Sequence, residues 1–343
     1  VEKIGVDLIS GENDIRQLMK GVFDALEQDE NIEVAVIGKR DVYEQLIDKK
    51  IKSFWKKEKN AAERISIIEA SDVISMNDNP LRVVKQKKDS SIVKGLEAHK
   101  SMEIDAFFSP GNTGAIVVAS ALIMGRPKGI KKPALGTLIP NMMGTATLLL
   151  DVGASAEADE YDLLKFAIMG RIYYREIFKV QNPSVALLNI GEEAHKGASE
   201  VQKAYKIMSN MDINFLGNVE GTDLFSGKTN IVVCDGSVGN TSLKVMEGSA
   251  RTIVHFLGDA IKHSMMAKAA FPLYMSALKE LKGKLDPEVY GGAPLLGIKG
   301  NVFIGHGSSG RGAITNGILA AAEAVRRNIL GKMHERFEEL GLK

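Results

Sequence analysis

Short apolar runs alternate along the chain with longer stretches in which apolar residues recur every three or four positions. The first kind fits buried strands and the second fits amphipathic helices packed on them. Ile4–Leu8 is predicted as a strand, and Ile15–Leu26 as a helix with Leu18, Met19, Val22 and Leu26 on one side. Ile32–Ile37, closed by Gly38, is the next strand, followed by a helix over Val42–Trp55 and an extended Ile65–Glu69. A helix from near Ser90 leads to the strand Ala106–Phe108, the loop Ser109-Pro110-Gly111-Asn112, and a helix from Thr113 to about Met124. Further strands are predicted at Ala134–Ile139, Thr147–Asp151, Val185–Ile190, Ile213–Leu216, Ile231–Cys234 and Val302–Ile304. Helices are predicted over Leu163–Phe178, from the Gly197 loop to about Met208, from about Asn240 to Leu257, and over most of Ala313–Leu340. Strands that alternate with helices of this length imply parallel pairing, with helices on both faces of one sheet.

One stretch breaks the rhythm. Asp259–Gly292 has no convincing strand, and Pro272 interrupts a run holding Ile261, Met265, Met266, Phe271, Leu273, Tyr274, Met275 and Leu278. It predicts two helical arms meeting at an apolar corner, an arm of about residues 255–292 inside a single unit spanning 1–343. Such an arm packs on the body or on a second copy. A methionine-rich surface flanked by Lys262, Lys268, Lys279, Lys282 and Lys284 also suits lipid with anionic headgroups or an acyl chain.

Composition narrows the function. With 343 residues and 45% hydrophobic content, the chain buries a large core without metals or disulfides. It carries 44 basic and 43 acidic residues, a net +1, so no electrostatic argument favours nucleic acid. The single cysteine, Cys234, sits in the apolar run Ile231-Val232-Val233-Cys234 and is expected to be a buried thiol. The strand-like start and the lack of a long apolar span predict a cytoplasmic protein. No Gly-x-Gly-x-x-Gly turn follows the first strand, and no Gly-x-x-x-x-Gly-Lys-Ser/Thr loop is present. The six histidines and one cysteine have no zinc-ligand spacing, and Ser308 is not in a Gly-x-Ser-x-Gly elbow. No cofactor and no metal are expected.

What remains is a set of glycine-rich turns at predicted strand ends, where open parallel sheets bind ligands. Gly111, Asn112 and Thr113 lead into a helix whose free N–H groups suit a phosphate. Asn189 opens a loop that runs to Lys196 and Gly197, and Lys196 is its obvious cation. A lysine there neutralises a phosphate or an oxyanion. Asp151-Val152-Gly153-Ala154-Ser155, Gly217-Asn218 and Asp235 through Asn240 form further turns, and His306-Gly307-Ser308 a late one. Imidazole titrates near neutral pH, so His306 is a candidate proton donor. Each of these residues also has a structural alternative: a cap, a solvent-facing lysine, or a histidine bonded to the backbone.

Taken in order, several segments resemble the bacterial phosphate acyltransferases of phospholipid synthesis. They are Lys87-Lys88-Asp89-Ser90-Ser91, Ser109 through Ala115, Gly125-Arg126-Pro127-Lys128-Gly129-Ile130, Phe166 through Gly170, Leu187 through Glu193, Asn214 through Gly221 and Tyr290 through Gly297. The resemblance implies a three-layer α/β/α fold like that of phosphate acetyltransferases and isocitrate dehydrogenases. It implies transfer of an acyl group from acyl-carrier protein to inorganic phosphate, a homodimer, and peripheral membrane contact with a glycerol-phosphate acyltransferase. It places phosphate at Gly111-Asn112-Thr113 and Lys196, with Asn218, Asp235, Asn240, His306 and Ser308 on the pocket wall. The family's Gly-Gly-Asp-His-Ala-Pro turn reads Ser10-Gly11-Glu12-Asn13-Asp14-Ile15 here. A short-chain phosphate acyltransferase and a non-catalytic carrier-protein or membrane scaffold are the alternatives on the same fold.

Overall fold

The computed structural model describes residues 1–51, 56–263, 265–266, 270–271, 273–276, 278, 283 and 291–341. Eleven strands form one sheet: β1 (Glu2–Asp7), β2 (Ile32–Gly38), β3 (Ile65–Glu69), β4 (Ala106–Ser109), β5 (Ala134–Pro140), β6 (Ala146–Leu150), β7 (Val185–Leu188), β8 (Phe215–Val219), β9 (Ile231–Val233), β10 (Ala293–Leu296) and β11 (Val302–Ile304). Their order across the sheet is β3-β2-β1-β4-β11-β10-β5-β6-β9-β7-β8. Alternate strand residues feed opposite faces, as the two-residue period requires. Val34 and Val36 join one apolar cluster while Ala35 and Ile37 join the other. The helices Ile15–Gln28, Glu160–Phe178, Arg311–Arg326 and Ile329–Glu339 cover the first face. Pro80–Gln86, Ser91–Lys100 and Thr113–Ile123 cover the second, joined by Leu243 and Met246 of the long helix Gly236–His263. The fold is therefore the expected three-layer α/β/α arrangement around a mostly parallel sheet.

The strand directions add something periodicity did not reveal. β3, β2, β1, β4 and β11 are mutually parallel, and so are β6, β9, β7 and β8. Three antiparallel contacts separate the sets, β11 to β10, β10 to β5 and β5 to β6, so the two sets run in opposite directions. Oppositely directed sets would ordinarily place their carboxyl ends at opposite edges. Register prevents this. Val6, Phe108 and Phe303 pair in one row, and Pro294 pairs with Phe303. On the far side Gly136 pairs with Leu150, Leu150 with Val233, Val233 with Leu187, and Leu187 with Asn218. Each set thus ends at the same level of the sheet, and the loops of both sets begin there.

Several local expectations are corrected. The predicted strand Ile213–Leu216 lies two residues further on, because Ile213 is held in a turn by the Phe215 N–H at 2.7 Å and pairing with Val185 begins at Phe215. Gly217 and Asn218 are therefore in β8 and not in a loop. The long helix starts at Gly236, four residues before the expected Asn240, and runs to His263. A Cβ at Gly236 or Gly239 would collide with the backbone of Ser155 or Asp151, so these glycines let the helix begin directly on the β6 loop. β10, with Pro294 inside it, and the helix Pro80–Gln86 carry no strong period and were not predicted. Ala313–Leu340 is two helices, broken where Asn328 adopts a left-handed φ of 50°. Cys234 is buried, as expected. The expected corner at Pro272 lies outside the described residues. The flanking Met265, Met266, Leu273 and Tyr274 are helical and exposed, and Phe271 is half-buried.

Candidate active site

The predicted site residues fall into two groups, one at the end of each strand set. In the first, Ser109 ends β4 and its hydroxyl donates to the Asp7 carboxylate at 2.7 Å. Asp7 ends β1, is fully buried, and also accepts the N–H groups of Ile9 and Ser10. Burial pushes its carboxyl above the usual carboxylate range, and the bonds from Ser109 and Ser10 oppose that rise. Ser109 Oγ accepts the Gly111 N–H at 3.1 Å, so the glycine turn is fixed from a buried acid.

Asn112 is the N-cap of the helix Thr113–Ile123. Its Oδ1 accepts the Ala115 N–H at 3.0 Å, while Nδ2 donates to the carbonyls of Ser75, Met76 and Asp78. Its side chain is committed to holding two segments together. The N–H groups of Thr113 and Gly114 have no partner among the described residues.

The late loop completes this group. Asn13 donates from Nδ2 to the carbonyls of Ser308 and Ser309, both at 2.9 Å, and the Glu12 N–H donates to Gly307 O. The Glu12-Asn13 turn therefore lies against the His306–Ser309 loop. His306 is exposed. Its Nδ1 lies 2.7 Å from Ser308 Oγ, and its Nε2 lies 3.4 Å from Lys244 Nζ.

The second group is built mostly from backbone. Asp151, buried at the end of β6, accepts N–H groups from Leu135, Gly153, Ala154 and Ser155 and the Ser155 hydroxyl. Burial raises its carboxyl and those bonds lower it, with the net shift upward. Asn189 staples the next loop, accepting the Ile190 N–H and donating to Lys196 O at 3.0 Å. Gly197 sits at φ 80°, with the Asn189 side chain in the space a Cβ would occupy. Asn218 donates to Glu193 O at 3.0 Å, and its buried Oδ1 has no partner among the described residues. The Lys196 side chain on this loop is half-buried and makes no hydrogen bond or ion pair among the described residues. Asp235 caps the long helix by accepting the Val238 N–H at 2.9 Å.

The long helix joins the groups. Asn240 lies against Gly153 in the second group, and Lys244, one turn on, reaches His306 in the first. Sequence reasoning did not single out Asp7, Asn13 or Lys244. An acid closing the apolar run Ile4-Gly5-Val6 was a signal for Asp7. Lys244 shares a helical face with Asn240 once the helix is begun at Gly236. Among the described residues no group of three or more His, Cys, Asp or Glu side chains is placed to hold a metal ion. No helix among them is long and apolar enough to cross a membrane. A cavity of about 580 Å³ lies apart from these loops, lined by Pro127, Met169 and Gly297, so three of the recognisable motifs serve that part of the scaffold.

The architecture matches that of solved phosphotransacylases. A branched-chain phosphotransacylase from Enterococcus faecalis superposes with a TM-score of 0.58 at 11% identity, over 95% of this chain and 99% of that one. A phosphotransacetylase from Streptococcus pyogenes does so with a TM-score of 0.59 at 17% identity, over 95% and 94%. These define the class of fold. Sequence goes further: a family model described as fatty acid synthesis protein matches residues 2–332. The phosphate acyltransferase of Thermoanaerobacter pseudethanolicus is 40% identical over 99% of this chain and 98% of its own. That of Dictyoglomus turgidum is 40% identical over 98% of each. The chain belongs to the phosphate acyltransferase family.

Proposed function

We propose that this protein transfers a fatty acyl group from an acyl-carrier-protein thioester to inorganic phosphate. A phosphate oxygen attacks the thioester carbonyl carbon, the carbon–sulfur bond breaks, and the carrier thiol leaves with a proton. The products are an acyl phosphate and free carrier protein. The thioester brings its own activation, so the reaction calls on no cofactor, and the chain's task is to hold phosphate against the carbonyl and steady the developing oxyanion. One observation carries this reading: a half-buried Lys196, unpaired among the described residues, on a loop fixed by Asn189 and Asn218 that follows a strand of the second set. A cation held without a counter-ion suits an anion that arrives as substrate. Asp235 and Asn240 frame the start of the helix between the groups, and Ser308 presents its hydroxyl from the opposite loop.

The same reading makes the protein a homodimer that works at the inner membrane face and passes acyl phosphate to a glycerol-phosphate acyltransferase. The exposed Met265, Met266 and Leu273 and the outward Ile253, Val254 and Phe256 of the long helix support it, since they offer apolar surface to a second copy or to lipid.

The test is direct. Purified protein incubated with long-chain acyl-carrier protein and phosphate forms acyl phosphate only when phosphate is present. Lys196→Ala lowers turnover by about 10²–10³-fold, the scale of losing one oxyanion donor. Absence of product overturns the activity, and unchanged turnover in the variant overturns the role of Lys196. Turnover with short acyl donors alone would favour the short-chain alternative.

A further inference from the structure

The cavity of about 580 Å³ that lies apart from the acyl-transfer loops has the size of an ordinary small-molecule site. Its floor is apolar. Met169, Ile298, Met333 and Phe337 line it, and each is at most 5% exposed. Met169 comes from the helix Glu160–Phe178, Met333 and Phe337 from the helix Ile329–Glu339, and Ile298 from the turn between β10 and β11. Gly297 opens that turn at φ 82°, where a Cβ would lie 3.3 Å from Met169 Sδ, so the turn sits directly on the floor.

The rim is charged. Lys128 and Lys299 line the same cavity and are exposed, and their loops are tied by the Lys299 N–H donating to Gly125 O at 3.0 Å. Neither ammonium has a hydrogen bond or ion pair among the described residues. The next lysines on the Lys128 loop differ: Lys132 lies 3.2 Å from Asp162 and Lys131 4.0 Å from Asp159. Asp105 is the one acid among the lining residues, and its Oδ2 already accepts the Lys3 N–H at 2.8 Å. A bare anion would lose hydration against this floor for no partner, and a neutral oil would leave the lysines unanswered. A chain with an anionic head satisfies both levels, and methionine walls adapt to a flexible chain. We infer that the cavity binds a single-chain amphiphile, its apolar chain on Met169 and Phe337 and its anionic head between Lys128 and Lys299. This site is separate from the acyl-transfer loops and does not depend on the acyl-transfer reading.

The test uses the full chain with ¹³C-methyl methionine. The Met169 and Met333 signals are assigned by their loss in Met169→Leu and Met333→Leu, exchanges that keep side-chain volume. Dodecanoate and dodecyl phosphate, below their micelle concentrations, should shift both signals saturably, and the tighter of the two names the head group. Dodecanol and inorganic phosphate should each bind at least about tenfold more weakly. Lys128→Glu combined with Lys299→Glu should weaken dodecanoate on the order of tenfold. Leu330→Trp, which fills the cavity from a half-buried wall position, should abolish the shifts with the urea unfolding midpoint retained. Lys196→Ala should leave them unchanged, whether or not the wild type forms acyl phosphate. Unmoved Met169 and Met333 signals overturn the inference, as do shifts confined to Met265 and Met266. Equal binding of dodecanol, or of dodecanoate to the doubly reversed variant, overturns the role of the lysines and with it the anionic head. Loss of the shifts in Lys196→Ala would put the amphiphile at the acyl-transfer loops and equally overturns a separate site.

Discussion

The two ends of the candidate site are each organised by a buried aspartate closing an apolar strand, yet the two are wired differently. Asp151 draws its donors mainly from its own loop, through four backbone N–H groups and one hydroxyl. Asp7 reaches across the sheet to the Ser109 hydroxyl, and Ser10 in its turn meets Ser91 Oγ at 3.0 Å. The second end is a local fold of one segment. The first is a cross-tie among β1, β4 and the helix Ser91–Lys100. A backbone N–H can only donate, whereas a hydroxyl can reverse its role. The first end is therefore the more adaptable of the two.

That contrast can be broken by experiment. Asp151→Asn turns an amide NH₂ against fixed N–H donors, and should lower unfolding stability by about 3–5 kcal/mol in urea titration. Asp7→Asn lets Ser109 accept where it donated, and should cost about 1 kcal/mol. Equal losses would remove the distinction. Both carboxyls are raised by burial, so the native state keeps their protons to higher pH than the unfolded chain does. Each contribution is full below the ordinary carboxylate range and falls as pH climbs through the raised value. The gap between wild type and each Asn variant should thus narrow as pH rises from the ordinary carboxylate range through each raised value.

Asn112→Ala sharpens the account of the first end. It removes a cap and the amide that holds the carbonyls of Ser75, Met76 and Asp78, and should cost about 2 kcal/mol by the same titration. A smaller loss would show that the Ser75–Asp78 loop holds itself. The least effect is expected far from either end. Leu273→Asp should weaken binding to anionic lipid vesicles a few-fold in co-sedimentation without changing stability. Binding equal to wild type would leave the exposed methionines to a second copy alone.

The local end was the more legible in the sequence. Asp151-Val152-Gly153-Ala154-Ser155 and Asn189 through Gly197 declare themselves as turns, because the residues that shape them are neighbours. The cross-tied end declared its turn residues, Gly111-Asn112-Thr113 and His306-Gly307-Ser308, but not what ties them together. Nothing within a few residues of Asn13 points to Ser308, and nothing near His306 points to Lys244. The layer arrangement followed from period alone. The reversal of direction between the strand sets did not, since it depends on β10, a four-residue strand containing proline with no pattern to mark it. The long helix was placed late because glycine, a poor helix former, opens it.

That helix has a mechanical consequence. Its 28 residues make a rod about 42 Å long. Only Gly236 and Gly239, at its root, are buried, and its outer half, with Ile253, Val254 and Phe256 exposed, stands clear of the sheet. A rod clamped at one end is a lever. A tilt of one degree at the root moves the far end by about 0.7 Å over that length. Run in reverse, whatever grips the far end fixes the angle at which Asn240 and Lys244 meet the two loops beside them.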